Sequence, residues 1–117
     1  MLTQNKIQTI AKLNDTARAH WFDRSFCQTM LTEGVRALLA DNADDIQELM
    51  LEVVNFNLFT EGNGPYGEHD FGSFSWGGAK LFWKIDYYDQ AFQYLSEDPS
   101  NPLITGRVLT VMLTREY

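Results

Sequence analysis

The sequence predicts an α+β fold in which a small antiparallel sheet packs against two or three helices. Three observations carry this. Gly77-Gly78 joins two aromatic-rich runs, "FGSFSW" and "AKLFWKIDYY", as a two-residue hairpin turn that tolerates positive φ at both positions. Two other segments, one near the N-terminus and one after Asp41, repeat apolar residues at three- and four-residue steps, the period of a helix buried along one side. A chain of 117 residues with 44% hydrophobic content has material for one core, so we expect one domain over residues 1–117.

In the first helix the apolar stripe is Ile7, Ile10, Leu13 or Asn14, Ala17 and Trp21, with Thr3 or Asn5 as the cap. "SFCQTMLTEGV" follows, and its Phe, Thr and Val content reads as a short strand that turns at Gly34. Asp41 or Asn42 caps the next helix. Its face is Ile46, Leu49, Met50, Val53 and Val54, and it ends near Asn55 to Asn57. "TEGNGPYGEHD" is too rich in turn formers to be anything but loop.

A two-residue turn fixes the hairpin register. Phe74 then faces Leu81, Gly72 faces Trp83 and Asp70 faces Ile85 on the core side. The other side carries Phe71 opposite Lys84, Ser73 opposite Phe82 and His69 opposite Asp86. "SEDPSNP" is a second loop. In the tail, Ile104, Val108 and Met112 step by four and favour a helix capped by Thr105. Leu109, Val111 and Leu113 also alternate, which leaves a third strand open.

The net charge is −7, and it is unevenly placed. No Lys or Arg occurs between Arg36 and Lys80, a gap holding Asp41, Asp44, Asp45, Glu48, Glu52, Glu61, Glu68 and Asp70. The remainder, eight acids against nine bases, is close to neutral. Such a field repels phosphate backbones and attracts basic protein surfaces, so direct nucleic-acid binding is not expected. One cysteine, Cys27, gives no disulfide framework and no cysteine-based zinc cluster. A lone thiol, no signal-peptide pattern at the N-terminus and no apolar run long enough to span a bilayer together suggest a cytoplasmic protein without a membrane partner.

"GPYGEHDFG", "FWKIDYYD", "SEDP" and "RVLTVMLTREY" resemble a family of short bacterial proteins known only as a domain of unknown function, whose members occur on plasmids and in prophages. The likeness runs from about Asn14 to Tyr117. It implies that Glu68, His69, Asp70, Lys84, Asp86, Tyr87, Tyr88 and Asp89 are signature positions. The family usually has an acid just before the proline, where this chain has Gly64. The resemblance implies no reaction.

Two functional readings follow. In the first, Asp44, Glu48 and Glu52 form an i, i+4 row, with Asp41 and Asp45 beside it. Like charges at that spacing oppose the helix, and no cation in the segment offsets them. This points to a non-enzymatic, acidic protein-binding module. Its concrete form is a mobile-element anti-defence inhibitor, anti-CRISPR or anti-restriction, that mimics nucleic-acid charge against a host defence nuclease complex. Its binding residues are Asp41, Asp44, Asp45, Glu48 and Glu52. In the second, His69 beside Asp86, with Lys84 to steady an anion, serves a small enzyme or metal-assisted hydrolase. Adjacent strand residues face opposite ways, so Glu68 and Asp70 cannot both join His69, and two ligands make a poor metal site. No metal or cofactor is expected. Tyr87 and Tyr88 suit an interface rim. The glycine-rich pieces fit no nucleotide-binding pattern.

Overall fold

The computed structural model describes residues 3–59 and 67–117. Glu61 and Gly64, and most of the loop that precedes the GEHD motif, lie outside them. Helix α1 (Gln4–Ala19) starts where Thr3 accepts the Lys6 amide, as one of the two candidate caps required. Its buried side chains are Ile10, Ala11, Asn14, Ala17 and Arg18. The apolar stripe read from the sequence is therefore interrupted at Asn14 and Arg18 by two buried polar groups.

Strand β1 (Gln28–Leu31) is the short strand expected there, but Gly34 does not end it in a turn. Helix α2 (Glu33–Leu39) follows, burying Val35 and Leu39 one turn apart. Gly34 sits in its first turn because β-carbon space there is taken: a Cβ would come within 2.7 Å of Leu113 Cδ1. Helix α3 (Ala43–Val54) opens on Asn42, whose side chain accepts the Asp45 amide, and buries Leu49, Met50 and Val53. Asn55 closes it, as its spacing implied.

Strands β2 (Phe71–Trp76) and β3 (Ala79–Tyr88) form the hairpin in the expected register, Trp76 against Ala79 through Phe71 against Lys84. Gly77 and Gly78 have φ of 60° and 79°, the turn that matches strand twist. The helix favoured for the tail is replaced by strand β4 (Gly106–Leu113) and a 3-10 turn at Thr114–Glu116. Alternation outweighed the four-residue step because Leu109, Val111 and Leu113 all face the core. Thr105 is buried and caps nothing; its hydroxyl donates to the Asp98 carbonyl.

The sheet order is β1-β4-β3-β2. β4 pairs antiparallel with β3 and parallel with β1, so the sheet has four strands and is mixed where an antiparallel one was expected. The core joins Val35 and Leu39 of α2, Leu49, Met50 and Val53 of α3, and Leu81, Trp83, Ile85, Leu109 and Val111 of the sheet. On the opposite side of the sheet Phe71, Phe82 and Tyr117 cluster, with ring centroids 4.9–6.1 Å apart. Among the described residues, no helix is long and apolar enough to cross a membrane.

Candidate functional site

The GEHD segment does not continue the hairpin. Asp70 still accepts the Ile85 amide at 2.9 Å, but His69 turns away with φ of 56°. A left-handed conformation is uncommon for a residue with a side chain and is held only by surrounding contacts. Here those contacts come from α1 and from the end of α3.

His69 Nδ1 lies 3.0 and 3.2 Å from the two carboxylate oxygens of Asp15. Its ring stacks on Phe59, with centroids 3.9 Å apart and planes 5° from parallel. Asp15 in turn accepts from Arg18 at 2.8 Å. Arg18 is buried, donates to the Val53 and Phe56 carbonyls at 2.7 and 3.0 Å, and lies over the Trp83 ring. It thus adds a charged donor to two carbonyls at the end of α3 and fixes Asp15 for His69. Burial works against the Arg18 charge and Asp15 works for it.

The pairing of His69 with Asp86 expected from the register is therefore corrected. Asp86 binds Lys84 at 2.9 Å, and that pair raises the Lys84 pKa above its ordinary value. The cause is the positive φ at His69, which carries its ring to α1 and away from the strand face. Among the described residues, no group of three or more His, Cys, Asp or Glu comes together to hold a metal ion.

Beside this contact runs a buried polar network. Asn14 donates to the Glu68 carbonyl at 2.9 Å and to the Tyr87 hydroxyl at 2.8 Å. Tyr87 donates to Glu68 Oε1 at 2.8 Å, and Arg107 Nε donates to Asn14 Oδ1 at 2.7 Å. Arg107 also reaches the Pro99 carbonyl and lies over the Tyr87 ring. Tyr87 therefore belongs to this network and not to an interface rim. Burial, above all, holds its phenol far above the ordinary range. Burial and then Glu68 push the Asp70 carboxyl up as well. Asp15, Arg18 and Arg107 escaped the sequence reading, and Asn14 entered it only as an alternative to Leu13 in the α1 stripe. For Asn14 and Arg18 the visible signal was a polar residue at a buried position of α1.

The Asp15–His69 contact forms a ridge between two open clefts. One is walled by Gln4, Ile7, Gln8, Ala11 and Lys12 of α1 with Gly67. The other is walled by Arg18 and by Asn55, Phe56, Asn57 and Phe59 beyond α3.

The acidic row lies elsewhere. Asp44, Glu48 and Glu52 are exposed on α3, and no described cation lies in ion-pair range of any of them. Asp45 is half-buried, and Asp41 reaches Arg36 only at 4.0 Å. The described central acids thus divide between two regions, with Glu68 in the network near α1 and Asp70 beside it. Cys27 is buried, its thiol pushed up by burial.

A family model described as "Protein of unknown function (DUF3768)" matches residues 31–116. No curated protein and no solved structure matches the chain.

Proposed function

The chain belongs to the family described as protein of unknown function, DUF3768, and on that footing we propose that it is an acidic, non-enzymatic protein-binding module. The observation that carries this reading is the exposed Asp44, Glu48 and Glu52 row on one face of α3, without a cation to neutralise it among the described residues. Two of the nine basic residues, Arg18 and Arg107, are buried, whereas no described Asp or Glu is. The solvent-facing charge is thus more one-sided than composition implies. Leu51, 58% exposed, shares the face with the row. An apolar side chain beside a charged margin suits a protein surface better than a bare polyion.

The partner of stated chemistry is a protein with a basic, nucleic-acid-binding groove. In its specific form the module is a mobile-element inhibitor of a host defence nuclease, a CRISPR or restriction complex, whose groove receives these carboxylates. The acidity and the resemblance to plasmid and prophage proteins support that form. Purified chain added to a panel of restriction and RNA-guided nucleases tests it. Cleavage by at least one should be suppressed at low salt and recover as salt rises, because exposed charges are screened over about 8–10 Å near physiological ionic strength. Unchanged cleavage across the panel at low salt would contradict the inhibitor form.

A further inference from the structure

His69 and Asp15 make a second site, built from residues other than those of the acidic row. Asp15 as a carboxylate can only accept hydrogen bonds, so the neutral imidazole must carry its proton on Nδ1. Nε2 is left with a lone pair and, among the described residues, no hydrogen-bond partner. The ring cannot easily turn to hide it, being stacked on Phe59 and tied to an aspartate that Arg18 holds. Lys12 lines the same cleft one helical turn before Asp15, exposed and without an ion-pair partner among the described residues. His69 and Lys12 thus line one cleft together, an imidazole held in place and a positive charge without a described ion-pair partner.

We propose that this cleft binds a small oxyanion that carries its own hydroxyl proton, hydrogen phosphate or bicarbonate, with the hydroxyl donating to His69 Nε2 and an anionic oxygen meeting Lys12. A donor-bearing anion fits a lone pair. An anion without a proton, such as sulfate, presents lone pair to lone pair and is rejected, as a built acceptor rejects any analogue that lacks the matching group. The charged groups around His69 are Lys12, Asp15 and Arg18 on α1 and Glu68 and Asp70 on its own segment. Arg18 offsets Asp15, and Tyr87 engages Glu68. Asp70 opposes an anion and keeps the binding weak.

The Asp15 carboxylate sets the selectivity. In Asp15→Asn the amide oxygen stays on Arg18, which has only donors, and the amide nitrogen turns to His69 Nδ1. That nitrogen asks Nδ1 to accept, while the oxygen kept on Arg18 still lies within reach of an Nδ1 proton, so the tautomer is no longer fixed. Nε2 then carries a lone pair in some molecules and a proton in others, and sulfate is no longer rejected.

Nuclear magnetic resonance of ¹⁵N-labelled protein at mildly alkaline pH and matched ionic strength tests this with hydrogen phosphate, bicarbonate and sulfate as probes. Wild type should show His69 as the Nδ1-protonated tautomer. Hydrogen phosphate, bicarbonate or both should perturb His69 at least about tenfold more tightly than sulfate; whichever does identifies the ligand. In Asp15→Asn the preference should narrow towards equal response, and Lys12→Gln should weaken the bound anion without changing the tautomer. Should Asp15→Asn fail to fold, the wild-type selectivity and the Lys12→Gln response decide the proposal by themselves. Equal response to sulfate and the hydroxyl-bearing ions in wild type at alkaline pH, or no response to any of them, overturns the proposal. Neither outcome bears on the acidic face.

Discussion

Arg107 Nε donates to Asn14 Oδ1 at 2.7 Å, joining two residues 93 positions apart at the centre of the molecule. Asn14 is fully buried, and both ends of its amide are used, the oxygen on Arg107 and the nitrogen on Tyr87 and the Glu68 backbone. One side chain therefore binds α1 to β3, to β4 and to the segment that carries His69.

Replacing Asn14 by Leu keeps the volume but strands buried partners, including a guanidinium. A cost of about 2–4 kcal/mol in unfolding free energy is expected, since removing one member of a buried charged set leaves the others desolvated. Chemical denaturation measures it. A loss below about 0.5 kcal/mol would be the size of an ordinary surface change and would deny the network its role.

Tyr87 gives a pH signature. Its folded pKa lies above the ordinary value of 10.0, chiefly through burial, so the folded state holds the phenol proton more tightly than the unfolded chain does. That contribution is complete below the ordinary tyrosine value and is lost as pH rises beyond it. Tyr87→Phe should lower stability at neutral pH by about 1–2 kcal/mol, through the lost bonds to Asn14 and Glu68. It should also flatten the decline on the alkaline side. Melting curves of both proteins across that range decide the matter; parallel alkaline declines would count against it.

Glu116 works in the opposite direction. Its carboxylate accepts from the Thr32 hydroxyl and from the Gly34 and Leu113 amides, so its pKa is held below the ordinary range. A lowered folded pKa contributes stability above the ordinary carboxylate value and loses it as pH falls through the folded one. Glu116→Gln should therefore remove part of the acid sensitivity of wild type. It should also speed hydrogen exchange at the Gly34 amide. Unchanged exchange at Gly34 would mean that the bond does not persist in solution.

The corrected partner of His69 has its own test. Asp15→Asn should change the His69 ring nitrogen shifts, whereas Asp86→Asn should leave them as they are and cost less than about 1 kcal/mol, because the Lys84–Asp86 pair is partly solvated. The reverse pattern would restore the strand-face pairing.

These residues also mark how far the sequence alone reaches. Helices α1 and α3 and the β2–β3 hairpin are set by local rules, a helical period with a cap and a two-glycine turn, and each was legible with its register. The tail was not. "RVLTVML" satisfies both periods, and only its place as β4, paired on both sides, decides for strand. Gly34 read as a turn after the short strand because Leu113 and Glu116, which demand a small residue there, lie some eighty positions away. The site divided in the same manner. Glu68, His69 and Asp70 stood out as a motif, but His69's partner Asp15 lies 54 positions distant, and a positive φ that no spacing announces sends the ring there.

The acidic face of α3 remains the centre of the functional account. Affinity capture from one bacterial lysate, with wild type and the Asp44→Lys, Glu48→Lys, Glu52→Lys triple variant as paired baits, tests it most directly. At low salt wild type should retain basic nucleic-acid-binding proteins that the variant does not, and high salt should release them. Equal retention by the two baits, or retention that salt leaves untouched, would contradict the claim.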